Sequence, residues 1–127
     1  MELKLYRVIV PVSDIEKAQS FYSKLFEMKG ERVSPGRHYF TLGGTIMACL
    51  DPVVEKDSDT VVPNPEHIYI STDKINDMFL KLQILNPIEM ENQIEMRPWG
   101  EKSFYFTDPF GNKVCIVDSK TIFTGTV

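Results

Sequence analysis

The sequence of 127 residues has no run of Lys and Arg, no apolar stretch approaching a membrane span, and only two cysteines, two histidines and one tryptophan. Each shortage excludes something. With a net charge of −4 at neutral pH there is no basic surface to meet a phosphate backbone, so no nucleic-acid partner is expected. A membrane helix needs about 20 apolar residues in a row and none occurs, so no membrane partner is expected either. No leader of charged, apolar and small residues precedes the first strand-like segment, and the expected location is cytoplasmic. Cys49 and Cys115 both lie in apolar, strand-like runs, which fits reduced, buried thiols better than a disulfide scaffold. What is present is ordinary: 43% hydrophobic and 25% charged residues, the balance of one soluble domain.

Along the chain the hydrophobic period switches between two and 3.6. Leu5 to Val12 alternates and is rich in Val and Ile, the pattern of a strand, and Pro11 suits an edge or a terminus. Ser13 and Glu16 have capping-box spacing, and Asp14 adds negative charge at the positive end of a helix. Ile15, Ala18, Phe21, Tyr22, Leu25 and Phe26 then recur at helical spacing and predict a core-facing stripe, stopped at Lys29-Gly30. Strands are expected at 31–34, 38–42 and 45–51, with turns at Pro35-Gly36 and Gly43-Gly44. His38 reads as an exposed strand residue.

Residues 53–66 are polar and end in Pro63-Asn64-Pro65. They read as a linker, the least ordered part of the chain. The order then repeats. A strand at 67–71 leads to a helix capped by Thr72 or Asp73, with Ile75, Met78, Phe79 and Leu82 on its apolar face. Asn86-Pro87 ends it. A mostly extended stretch at 88–96, a turn at Arg97-Pro98-Trp99-Gly100 and two further strands complete the copy. The expected organisation is two degenerate βαβββ units, 1–52 and 67–118, followed by a tail at 119–127. Asp14 with Asp73, and Asp51 with Asp118, take equivalent places.

The last two strands flank Asp108-Pro109-Phe110-Gly111-Asn112. Asp can bond its own backbone there, Pro presets φ, and Gly accepts φ > 0. With Phe104-Tyr105-Phe106 before the turn and Val114 after it, this segment closely resembles a hairpin of the glyoxalase, bleomycin-resistance and extradiol-dioxygenase superfamily, also called vicinal oxygen chelate proteins. Val10-Pro11-Val12-Ser13-Asp14-Ile15-Glu16-Lys17-Ala18 with Phe21-Tyr22 resembles the family's first strand and helix, and Pro98-Trp99-Gly100 resembles its usual turn before the penultimate strand. The resemblance implies an α+β fold. Two βαβββ units form a curved, partly open mixed β-barrel around a ligand cleft, with the helices outside. It also implies a homodimer.

Metal-using members of that family place ligands on the first, fifth and eighth strands, and some add one on the fourth. Carried over residue by residue, these positions fall on Arg7, His67, Cys115 and Ala48. Only His67 matches the family's ligand. Arg has no acceptor and stays charged, and one His with one thiol falls short of the three protein ligands usual for catalytic zinc. No metal or other cofactor is therefore expected.

With these positions as anchors, strand alternation puts Arg7, Ile9, Ile46, Ala48, Leu50, His67, Tyr69, Cys115 and Val117 on the cleft side and Val8, Val10, Met47, Ile68, Ile70, Val114 and Ile116 under the helices. The expected ligand site is Arg7, Ile9, Ala48, Leu50, His67, Tyr69, Cys115 and, near the mouth, Trp99. It is an apolar pocket for a small organic molecule, with Arg7 favouring an anionic group. Plainer roles are open to each polar residue: Arg7 reaching water or pairing with Glu2, His67 as a structural histidine, Cys115 as core filler, Trp99 filling the barrel end. The expected function is metal-free binding of a small-molecule ligand. The alternatives are a metal-dependent lyase, isomerase or dioxygenase of the same superfamily, and a thiol enzyme using Cys115 and His67 as catalytic residues.

Overall fold

The computed structural model describes residues 1–125 and divides the chain into two compact units that meet between Asn64 and Pro65. In the first unit, β1 (Arg7–Pro11) leads into α1 (Ile15–Phe26), then β2 (Glu31–Ser34), β3 (Arg37–Leu42) and β4 (Thr45–Leu50). The sheet order is β1-β4-β3-β2, with β1 parallel to β4 and the other pairs antiparallel. Pro11 closes an edge strand, where its missing N–H breaks no ladder. Val10, Phe40, Met47 and Cys49 are buried on one face. On that face α1 lays Ile15, Ala18, Phe21, Tyr22 and Leu25, and Tyr22 and Phe26 meet Phe40 at 6.2 and 5.6 Å between ring centres.

The second unit repeats the plan with β5 (Ile68–Thr72), α2 (Ile75–Leu85), β8 (Lys102–Thr107) and β9 (Lys113–Asp118). Strand β5 is parallel to β9, and β9 is antiparallel to β8. The stretch expected to be mostly strand yields only two residue pairs, β6 (Glu89–Met90) and β7 (Glu95–Met96), both laid against β8. Ile75, Met78 and Leu82 of α2 are buried, Phe104, Phe106, Val114 and Ile116 are buried on the sheet, and Phe79 stands edge-on to Phe104 at 5.1 Å.

Local details correct the sequence reading at both helix starts. Asp14, not Ser13, is the N-cap of α1 and accepts from the Lys17 N–H at 3.1 Å. Glu16 does not reach back to form a capping box; it pairs with Arg32 at 2.8 Å. Neither Thr72 nor Asp73 caps α2: the cap position is Lys74, without a side-chain bond, and Thr72 Oγ1 accepts from the Lys74 N–H instead. Helix α1 ends earlier than Lys29-Gly30, at a left-handed Glu27. Asn86 ends α2 in the same conformation, as expected.

The half-ends do match. Asp51 Oδ1 accepts from the N–H of Val53 and Asp118 Oδ1 from the N–H of Lys120, each carboxylate folding the chain two residues on. The expected linker does not hang free. Glu55 returns to the β2–β3 turn, and Asn64 Nδ2 donates to the Ile9 carbonyl at 2.9 Å, so residues through 64 dress the first unit. In the tail, a 3₁₀ turn over Ser119–Thr121 is pinned by the bond from Lys102 N–H to Thr121 Oγ1. No helix among the described residues is long and apolar enough to cross a membrane.

Candidate functional site

Each sheet has a second face, away from its helix, and the expected site residues fall on these faces. In the first unit the register pairs Arg7 with Ile46, Ile9 and Tyr39 with Ala48, and Arg37 with Leu50. Paired residues project to the same side, so Arg7, Ile9, Ile46, Ala48 and Leu50 share a face, as alternation predicts. That face also carries Tyr39 and Arg37, which the sequence reading left out.

The Arg7 guanidinium lies over the rings of Tyr6 and Tyr39, 5.0 and 5.3 Å from their centres. Its Nε is buried and has no hydrogen-bond partner among the described residues. Stacking occupies the faces of a guanidinium and leaves its in-plane N–H groups uncommitted. Arg37 is placed differently. Nη1 donates to the Tyr39 hydroxyl at 3.1 Å and Nε to Glu55 at 3.3 Å, and Glu55 also accepts from the Gly36 N–H at 2.9 Å and the Ser34 hydroxyl at 2.8 Å. The Gly36 N–H first, then Ser34 and Arg37, holds the Glu55 carboxyl below its ordinary pKa, and the Tyr39 bond leads the causes that raise Arg37.

In the second unit Cys115 pairs with both Tyr69 and Tyr105, and Ser103 with Val117. Around this fully buried thiol stands a cluster. Arg97 lies 4.7 Å over the Tyr105 ring, donates to Ser103 Oγ at 3.0 Å and forms a short ion pair with Glu91. Glu91 also accepts from the Tyr105 N–H. Burial opposes the charge on Arg97, but Glu91 outweighs it and the net pKa is raised. His67 stands edge-on to Tyr105 at 4.7 Å and lines an open cavity of about 280 Å³ with Glu89, Glu91, Thr107 and Lys113. Tyr69 is 58% exposed.

One expectation needs correction here, and two of the alternative roles sit poorly with the geometry. His38 is not exposed: it is buried against Phe40 and bonded through Nε2 to the Lys29 carbonyl at 2.9 Å. Cys115 and His67 are not cross-strand partners. The neighbours of Cys115 across the ladder are the two tyrosines, and burial pushes its thiol pKa up, the reverse of what activates a thiolate. Trp99, for its part, does not fill an interior end; it is 61% exposed and donates to Glu101 at 2.7 Å.

Burial first, then a hydrogen bond with Tyr69, raises the Tyr105 pKa from 10.0 to about 12. Above pH 10 the unfolded chain loses this proton while the folded chain keeps it. The stabilisation is complete below pH 10 and disappears as pH approaches 12. Allowing for partial exposure, this is worth on the order of 2 kcal/mol. Urea titrations at pH 8 and pH 12 check it: the stability gap between the native chain and Tyr105→Phe is expected to narrow as pH rises.

At the positions where metal ligands are expected by resemblance, the donor set does not suit a divalent cation. Arg7 is a cation, the Ala48 side chain has no donor atom, and Cys115 is a lone, fully buried thiol. Among the described residues no three His, Cys, Asp or Glu side chains gather into a metal-binding group. The signal for the missed residues lay in the alternation itself. Extending it to the neighbouring strands puts Tyr39 beside Ala48 and Tyr105 beside Cys115. Arg97 and Glu91 lie in irregular chain, which alternation does not cover.

Comparison with known proteins follows the same line. The chain is similar to a glyoxalase-related enzyme from Fulvimarina pelagi (14% identity, TM-score 0.76, covering 97% of this chain and 93% of that one). It is also similar to a lactoylglutathione lyase from Agrobacterium tumefaciens (19% identity, TM-score 0.69, 92% and 94% covered). A third solved structure, a superfamily member from Sphaerobacter thermophilus DSM 20745, is 24% identical with a TM-score of 0.70, covering 93% and 98%. No curated protein matches. The family model described as Glyoxalase/Bleomycin resistance protein/Dioxygenase superfamily matches residues 4–116, nearly the whole chain, and the protein belongs to that superfamily.

Proposed function

We propose that this protein binds a small organic anion without a metal, in the ligand cleft of its superfamily. The observation that carries the reading is Arg7. A permanent cation stands where metal-using relatives would place a ligand, and its buried Nε has no partner among the described residues. A buried donor left unpaired costs about 1–3 kcal/mol, so an acceptor on a ligand would recover that cost. Cys115 has no exposed surface to offer a metal. Ile9 and Leu50, half-buried on the same face as Arg7, supply an apolar wall for the body of the ligand, while Ala48 between them is fully buried.

Elemental mass spectrometry of the untagged protein, as purified and after soaking in nickel, zinc, manganese and iron, tests this reading. The expected result is metal well below one equivalent under every condition. Near-stoichiometric metal that disappears in His67→Ala would overturn it and direct attention to lyase, isomerase and dioxygenase chemistry.

A further inference from the structure

We infer that Tyr39 is the second donor of the Arg7 site and that together they select a monocarboxylate. The inference rests on the anion-binding reading of Arg7 and adds the group beside it. Tyr39 does two things at once. Its ring carries the Arg7 guanidinium at 5.3 Å, and its hydroxyl accepts from Arg37 Nη1 at 3.1 Å. Accepting from Arg37 occupies a lone pair and leaves the hydroxyl hydrogen without a commitment to that partner, so the group is set to donate. Arg37 is not free to swing away, because Glu55 holds its Nε, and Glu55 is itself held by the Gly36 N–H and the Ser34 hydroxyl. The chain from Glu55 through Arg37 to Tyr39 is thus a positioning device.

Charge decides the class of anion. Arg37 is compensated by Glu55, at 3.3 Å. Arg7 has no acidic partner among the described residues, which leaves one uncompensated positive charge in the group. That matches a carboxylate, a planar monoanion whose two oxygens fit the in-plane N–H edge of a guanidinium with the tyrosine hydroxyl alongside. A phosphate dianion would call for a second free cation. The apolar residues of this face then favour an organic acid over a bare inorganic ion.

The test is calorimetric titration of the full chain with acetate, benzoate and salicylate, with benzamide as the uncharged control and inorganic phosphate as the dianion. Tyr39→Phe keeps the ring under Arg7 and removes only the hydroxyl; Arg7→Gln removes the charge. Thermal unfolding verifies that both variants fold. The expected result is binding of at least one carboxylate, none of benzamide, loss of binding in Arg7→Gln, and weakening by about tenfold in Tyr39→Phe. If Arg7→Gln abolishes binding and Tyr39→Phe leaves it within twofold, the role of Tyr39 is overturned while the Arg7 reading stands. If Arg7→Gln binds like the native chain, both fall. Phosphate binding as tightly as the carboxylates, or no carboxylate binding at all, overturns the monocarboxylate assignment.

Discussion

Asp108→Ala is expected to lower stability by about 4 kcal/mol. Asp108 is fully buried at the β8–β9 turn. Its Oδ1 accepts from the N–H groups of Phe110 at 2.9 Å and Asn112 at 2.8 Å, and its Oδ2 from the side-chain amide of Asn112 at 3.0 Å. Asn112 is itself 1% exposed, so water cannot readily replace the lost acceptor. Alanine removes the acceptor of three hydrogen bonds at a buried turn, at about 1–3 kcal/mol each, and this sum dominates the small change in apolar area. Asp108→Asn keeps one acceptor oxygen and is expected to lose less than half as much. Urea midpoints at unchanged m-value measure both. An alanine variant within 1 kcal/mol of the native chain would mean that the turn closes on Gly111 and Pro109 alone.

Gly30→Ala comes next, at about 3 kcal/mol or more, and the reason is steric as well as conformational. Gly30 has φ +65°, where any side chain is strained. A Cβ there would meet the Tyr39 carbonyl oxygen at 2.6 Å, His38 Nε2 at 2.7 Å and Phe40 Cε1 at 2.8 Å. The carbonyl belongs to the middle of a paired strand and His38 is locked to Lys29, so none of the three yields cheaply. Gly43 provides the control. It has φ +60° but nothing within 4 Å of its added Cβ, so Gly43→Ala is expected to cost only about 1 kcal/mol. The difference between the two variants, read from thermal or urea unfolding, isolates the clash. Equal losses would show that the loop before β2 can move away from β3 at Gly30 without consequence.

The fold was legible in the sequence because its strongest signals were local. Period-two runs at residues 7–11 and 113–118, the 3.6-period stripe of α1 and the Asp-Pro-Phe-Gly-Asn turn each decide one element. Helix starts were harder. Ser13, Asp14, Thr72 and Asp73 all have side chains suited to capping, and only the backbone path decides which of them faces the free N–H groups. The segment between α2 and β8 could not be read for a different reason. It pairs with β8 through two residues at a time, too short a stretch to impose a period. His38 was misread because alternation does not tell which side of β3 is covered, and a polar side chain suggests water. Lys29, at the end of the preceding loop, provides the carbonyl that makes its burial tolerable.

The site was legible only in part. Alternation placed Arg7, Ile9, Ala48 and Leu50 together once one position per strand had been fixed by the family resemblance. It could not show that Glu55, deep in a stretch that looks like a spacer, reaches back to hold Arg37. Nor could it show that Arg97, in an apparent turn, leans over Tyr105. Both are contacts across irregular chain, set by packing after the regular elements have formed.

Cys49 and Cys115 are free thiols with no exposed surface, one in each half of the molecule. A soluble thiol reagent can reach neither until the sheet around it opens. The pair therefore acts as two internal clocks: the rate at which each sulfur is captured, compared with its rate in denaturant, gives the opening free energy of the half that encloses it. With Cys49→Ser or Cys115→Ser isolating one signal at a time, the same chain reports whether its two repeats breathe together or separately.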